Sequence, residues 1–310
     1  MCKNWIVASL ERSHPGQHIL LGLESVLFKG HSAYQEVVIA EVPLWGRGLF
    51  LDSNVQLLAG DEFIYHEHLA LLPLLYHPAP RRVLIIGGGD GLALREVLRD
   101  RRVEQVVLVD IDALVVEACR EYLHDLHRHS FAHPKASIII DDARHYLATG
   151  PLPFDVALVD LTDPEGATGL ELYREVIALL KPSLTPRALV TVNGGAVDPP
   201  GYPALSVHVL LQQYFDQVVL HRAHIPSFAK EWGFLLASDY ISFLDMTPDV
   251  LQKRRQHLAG DLRALTLECY PTAFCLPPYL TQALQYLRSA HPSTRHQYTP
   301  EFTWVYPPDP

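Results

Sequence analysis

Cysteine is scarce in this chain, and what there is lies scattered. Cys2, Cys119, Cys269 and Cys275 form no Cys-x-x-Cys pair and no framework of spacings, which argues against a disulfide-stapled scaffold and for a reducing compartment. Long apolar runs are also missing: no stretch approaches the roughly 18 uninterrupted apolar residues of a membrane span. The opening MCKNWIVASLERSHPG has no basic start followed by an apolar core, so no export signal is expected. A soluble, cytoplasmic protein with no membrane partner is the expectation. Positive charge is in deficit, 25 Lys and Arg against 35 Asp and Glu, for a net −10. That balance argues against nucleic acid as a partner and suits a cationic one. Internal repeats and low-complexity tracts are absent.

Apolar residues make up 48% of the 310 positions, enough for a sizeable core. Between residues 18 and 59, HILLGLESVLF, YQEVVIAEV, GRGLFLD and VQLLA are short apolar or alternating runs parted by Gly, Asn and Ser. They predict a small antiparallel β domain over residues 1–60. DEFIYHEHLALLPLLY, residues 61–76, then takes up helical periodicity, with Asp61 as N-cap and Phe63, Leu69, Leu72 and Leu75 as its core face. His77-Pro78-Ala79-Pro80 punctuates the chain. Beyond it, RVLIIG, QVVLVD, ASIIID, DVALVD and ALVTVN each lead into a helical stretch, near 91–99, 113–124, 142–148, 170–180 and 202–214. QVVLHRAHI and WGFLLAS follow as strands. Continuous apolar strands alternating with helices predict an α/β, doubly wound, mostly parallel Rossmann-like sheet of the class I methyltransferase type over residues 61–290. Residues 291–310 read as a Pro-rich tail.

Chemistry concentrates at the strand ends. Gly87-Gly88-Gly89-Asp90-Gly91 follows one strand and opens a helix, where a glycine turn and helix N–H groups approach a ligand closely. Such a turn also occurs in purely structural settings. Asp110 ends the next strand about 20 residues on, placed to accept from ribose hydroxyls. Asp141-Asp142-Ala143 ends the third, where a carboxylate can meet an adenine amino group or cap a helix. Asp160-Leu161-Thr162-Asp163-Pro164 ends the fourth. With Asp90 near, Asp160 and Asp163 would form an acidic pocket suited to a polyamine. His66-Glu67-His68 is not a His-Glu-x-x-His motif, and no metal site is expected there or in the His124, His127, His129, His133 cluster.

Several blocks together are highly specific: Leu51-Asp52 to Gln56, Asp61 to Glu67, Val83 to Gly91 with Leu94 to Val97, Val109 to Asp112, Asp142 to Arg144, Asp160 to Gly166, and Ile225 to Phe228 with Trp232 to Phe234. From about Tyr34 to Ser238 the chain closely resembles the spermidine synthases, polyamine aminopropyltransferases, and its wording is most similar to bacterial members that accept agmatine or longer amines. The resemblance implies transfer of an aminopropyl group from decarboxylated S-adenosylmethionine, as co-substrate with no other cofactor, to putrescine, agmatine or spermidine. It places Gln35, Asp90, Asp110, Asp142, Ala143 and Ala167 on the donor. Tyr65, His66, Asp90, Asp163 and Phe228 would line the amine site, and Asp160 would be the general base. It also implies a homodimer or homotetramer joined through the N-terminal β domain, which would contribute to the substrate site. The chain departs from the family at Asp110, where Glu is usual, and at Ala167, Asn193 and Phe228. The loop after Gly166, which normally covers the bound amine, is shorter. An S-adenosylmethionine-dependent methyltransferase and a non-catalytic polyamine or nucleoside binder are the alternatives.

Overall fold

The computed structural model describes residues 4–9, 18–164, 166–197, 202–269 and 272–289. The Pro-rich stretch 291–310 lies outside these residues. β1 (Asn4–Ser9), ahead of the stretch read as β-structure, pairs antiparallel with β2 (His18–Leu23). β3 (Ser25–His31), β4 (Glu36–Val42), β5 (Gly46–Leu51) and β6 (Asn54–Leu58) form a four-stranded antiparallel sheet in that order. β5 and β6 are joined through Asp52 and Ser53, both at positive φ, the backbone that a two-residue hairpin requires. In β4 the side chains alternate between two apolar clusters. Val37 and Ile39 pack toward Val115, Ala118 and Cys119 of the second domain, while Val38, Ala40 and Val42 gather with Phe50 and Leu58.

The segment after this sheet is helical but interrupted. α1 (Glu62–His66) runs into a π turn, Glu67–Leu71, and then α2 (Leu72–Tyr76). The wide turn accommodates Pro73, which has no N–H to donate and whose ring would clash with the Leu69 carbonyl in a regular helix. Asp61 precedes α1 but does not cap it with its side chain; its carboxylate accepts from the Ser227 amide at 2.7 Å instead. Leu69, Leu72 and Leu75 are buried as expected, whereas Phe63 is only half-buried, beneath the Arg263 guanidinium.

Alternation of strand and helix then follows: β7 (Arg82–Gly87), α3 (Leu92–Val97), β8 (Gln105–Asp110), α4 (Ala113–Tyr122), α5 (His124–His127), β9 (Ala136–Ile140), α6 (Ala143–Ala148), β10 (Phe154–Asp160), α7 (Gly166–Leu180), β11 (Leu184–Ala196) and α8 (Pro203–Leu211). β12 (Gln217–Ile225), β13 (Lys230–Ser238), α9 (Pro248–Arg255) and α10 (Pro278–Ser289) complete it. The seven strands β7 to β13 lie in the order β12-β13-β11-β10-β7-β8-β9. Neighbours from β11 to β9 are parallel, and β13 runs antiparallel to both β11 and β12. Val83 to Ile86 and Val156 to Val159 are fully buried, as a sheet covered on both faces demands. Each Val, Leu or Ile among them contributes on the order of 1.5–3 kcal/mol by leaving water. α7 starts at Gly166 rather than near residue 170, and its Gly169 passes closely against Pro164. Helices α9 and α10 have no counterpart in the sequence reading. No helix among the described residues is long and apolar enough to cross a membrane.

Candidate active site

Chain order reverses between β7 and β10, since β8 and β9 extend the sheet on one side before β10 returns to the other. Open α/β sheets bind ligands outside the carboxyl ends of strands at such a switch point. A cavity of about 990 Å³ lies there, floored by the glycine turn and the strand-tip acids and roofed by the N-terminal sheet and α7. Gly87 makes the closure possible. It sits at φ +82°, opposite Asp160 in the register of β7 and β10, and a Cβ there would stand 2.0 Å from the Asp160 carbonyl oxygen.

One half of the cavity is lined by Gln35, Asp110, Asp142 and Ala143. Asp110 at the tip of β8 accepts from the Asp112 amide at 2.9 Å, and burial pushes its pKa up to about 6. Gln35 reaches over from the β3–β4 turn, where its Nε2 donates to Asp112 Oδ2 at 3.0 Å; Ser32 Oγ donates to the same oxygen at 2.7 Å. These two bonds tie the N-terminal sheet to the start of α4, which Asp112 also caps through Oδ1. Asp142 caps α6 by accepting from the Arg144 amide at 2.8 Å, and its carboxylate pairs with the Arg144 guanidinium at 2.7 Å. Buried Ala143 follows it into the cavity wall. Ala167 is exposed on the first turn of α7 and is not among the lining residues.

The other half is acidic. Asp160 ends β10, and its Oδ1 accepts a hydrogen bond from the Tyr65 hydroxyl. Burial and the repulsion of Asp90 raise the Asp160 pKa to about 7, against the lowering influence of Tyr65 and His66. Asp90 takes the Leu92 amide on Oδ1 at 2.7 Å and faces His66 Nε2 through the same oxygen at 3.8 Å. Burial alone would raise the Asp90 pKa, but His66 and the Leu92 amide hold it below the ordinary carboxylate range. Burial disfavours the His66 cation, yet its contacts with Asp90 and Glu62 outweigh that and push its pKa up to about 10. Asp163 lies on the turn after β10, exposed at the cavity wall. Phe228 packs edge-on to Trp232 at 4.9 Å and to Tyr65 at 6.2 Å between ring centroids, forming an apolar wall over the reacting end.

The structure therefore gathers Gln35, Tyr65, His66, Asp90, Asp110, Asp142, Ala143, Asp160, Asp163 and Phe228 around one cavity, and leaves Ala167 outside it. Residues beyond these also shape it. Asn193 accepts from Trp232 Nε1 at 2.9 Å and from the Gly195 amide at 3.0 Å, and donates to the Leu161 carbonyl at 3.1 Å. Its side chain is thus spent on bracing the β10–α7 turn. Lys230, buried at the start of β13, also lines the wall, and nothing in its local sequence announces it. Glu62 and Arg95 stand behind His66; the four-residue spacing of Glu62 and His66 on a helix was the available signal. Among the described residues, no three His, Cys, Asp or Glu side chains are grouped so as to hold a metal ion.

A glycine turn, strand-tip acids and an Asp-capped helix start, gathered at the switch point of a doubly wound sheet, define the architecture of a nucleotide-type α/β fold, here with one acidic end to its cavity. The profile of the spermine/spermidine synthase domain matches residues 62–245, and that of the spermidine synthase tetramerisation domain matches residues 5–58. Polyamine aminopropyltransferase 2 of Pseudomonas aeruginosa is 36% identical over 261 residues, 83% of this chain and 74% of that protein. A thermospermine synthase of Arabidopsis thaliana is 35% identical over 269 residues, 85% of this chain and 78% of that protein. A crystal structure of spermidine synthase in complex with the transition-state analogue AdoDATO superposes with a TM-score of 0.84 at 28% identity, covering 91% of this chain and 95% of that one. The chain belongs to the spermine/spermidine synthase family and is a polyamine aminopropyltransferase.

Proposed function

We propose that this enzyme moves the aminopropyl group of decarboxylated S-adenosylmethionine to an amine, with Asp160 as general base. The observation that carries this reading is the placement of Asp160: a half-buried carboxyl with a pKa near 7, between Tyr65 and Asp90, at the end of a cavity whose other half suits a nucleoside. Gln35 and Asp110 hold the ribose and sulfonium portion, and Asp142 with Ala143 the adenine. Asp90 pairs with the ammonium of the aminopropyl arm, and Asp163 anchors the acceptor under Phe228.

An ammonium has no lone pair, so the attacking nitrogen must lose a proton, and a base with a pKa near the working pH removes it best. The nitrogen bonds to the propyl carbon beside the sulfonium as the carbon–sulfur bond breaks. Methylthioadenosine leaves as a neutral thioether while the proton passes to Asp160. In-line attack requires both chains to be held close to bonding distance, which the outer carboxylates do. Ordinary S-adenosylmethionine would bring its own carboxylate against Asp90, an arrangement that costs binding. The N-terminal sheet, matched by a tetramerisation domain, joins subunits into a homo-oligomer and lends Gln35 to the site.

The acceptor is read from a panel. Protein incubated with decarboxylated donor and putrescine, agmatine, spermidine or cadaverine yields methylthioadenosine and one aminopropylated amine, resolved by mass. No methylthioadenosine with any of them would overturn the transfer reading in favour of a binder.

A further inference from the structure

Behind the acidic end of the cavity runs an unbroken line of buried charges of alternating sign. Asp90 faces His66 at 3.8 Å, and His66 Nδ1 meets Glu62 Oε2 at 3.0 Å. Arg95 grips both Glu62 oxygens at 2.9 Å and Glu96 at 2.9 Å. Glu96 pairs with Arg99, which reaches Glu67 at 3.4 Å. Glu67 closes the line by accepting from the amides of Arg263, Ala264 and Leu265. Glu62 is 4% exposed and lies behind the cavity wall, which it meets only through His66.

We propose that Glu62 is a positioning residue for the transfer step: clamped by Arg95, it keeps His66 a cation, which holds Asp90 oriented toward the donor and Asp160 ionised. The inference rests on the aminopropyl-transfer reading above.

Buried ion pairs are a weak source of stability, since apolar residues of similar size often serve as well. A line of them set directly behind the acids of the cavity therefore calls for another use. The geometry supplies one. The Leu92 amide and His66 both meet Asp90 at Oδ1, which leaves Oδ2 for the ammonium of the aminopropyl arm. His66 is enclosed by Glu62 on its own helix, Asp90 from the β7–α3 turn, Asp160 from β10 across Tyr65, and Arg95 from α3 behind Glu62. Asp160 in turn has Asp90, Asp110, Tyr65 and Tyr173 about it, and Asp163 acts on the same two tyrosines. Among the groups that act on it, His66 is a cation whose charge favours the ionised base, and Lys230 of β13 lines the same cavity. Replacing Glu62 by Gln removes one of the two carboxylates that favour the His66 cation and leaves Arg95 facing the imidazole, so His66 holds its proton less tightly. Asp160 then binds its own proton more tightly.

The test is Glu62→Gln in the full chain. Its acid limb of kcat/KM against pH should move upward by about one pH unit, as expected for losing a neighbouring opposite charge, and the donor KM should rise several-fold. Glu67→Gln, at the far end of the same line, should lower the unfolding midpoint and leave the acid limb in place. Nitrogen-15 NMR of the wild-type imidazole needs no variant: His66 should stay protonated to at least about pH 8, above the ordinary histidine range. A folded Glu62→Gln protein sharing the wild-type acid limb would overturn the proposal. So would a wild-type His66 that titrates below about pH 7. Absence of product from the wild type with every amine would count against the transfer reading alone, because the imidazole titration still reports on the Glu62–His66 pair.

Discussion

At the tip of β10, burial and charge act on Asp160 in opposite directions. Removal from water and the nearby Asp90 favour its protonated form, while Tyr65 and His66 favour the anion, and the balance falls near 7. A base must be deprotonated to act, so activity should be lost as pH falls through about 7 and recovered above it. Asp160→Asn cannot take the proton at any pH. It should lower kcat by about 10²–10⁴, the usual contribution of a positioned base, with donor binding largely kept; rapid-quench measurement of methylthioadenosine checks both. A variant near full rate would remove Asp160 from that role. The strand-tip acids were legible in sequence because each follows an apolar run that can only be a buried strand. Asn193, Trp232 and Glu62 were not assigned roles. Those of Asn193 and Trp232 depend on contacts made across 32 to 39 positions, which no local pattern encodes, whereas the four-residue spacing of Glu62 and His66 was there to be read.

Strands β7 and β10 meet the glycine turn at Gly87, where positive φ and a 2.0 Å approach to the Asp160 carbonyl leave no room for a side chain. Gly87→Ala should therefore push the two strand tips apart. A loss of at least about 2 kcal/mol in urea unfolding is expected, beyond the strain of the backbone alone. Gly150→Ala is the control, since that glycine shares the positive φ but has nothing within 4 Å; about 1 kcal/mol is expected there. Equal losses at the two sites would show that the close approach is unimportant. Helix and strand order along β7 to β13 was readable from period and glycine placement. The π turn at Glu67–Leu71 was not, because its apolar spacing resembles an ordinary helix until Pro73 is weighed. Nor was the early start of α7, where Ala167 had been expected to touch the donor and instead faces solvent.

Across the whole molecule, the N-terminal sheet roofs a cavity that the second domain floors, with Gln35 and Ser32 bonded to Asp112 as the tie. The antiparallel character of that sheet, and the mostly parallel character of the larger one, followed from strand patterning. Its position over the cavity did not, since it depends on packing between segments about 80 residues apart. The net −10 of the chain is focused where it matters by Asp90, Asp160 and Asp163 at one end of the site. On the proposed reading a donor is distinguished by the charge of its propyl arm, and calorimetric titration with the two forms of S-adenosylmethionine reads that distinction directly. The decarboxylated donor should bind at least about tenfold more tightly, because a second carboxylate beside Asp90 is repelled in a half-buried site. Equal or tighter binding of the carboxylated form would contradict the assignment of this cavity to aminopropyl transfer.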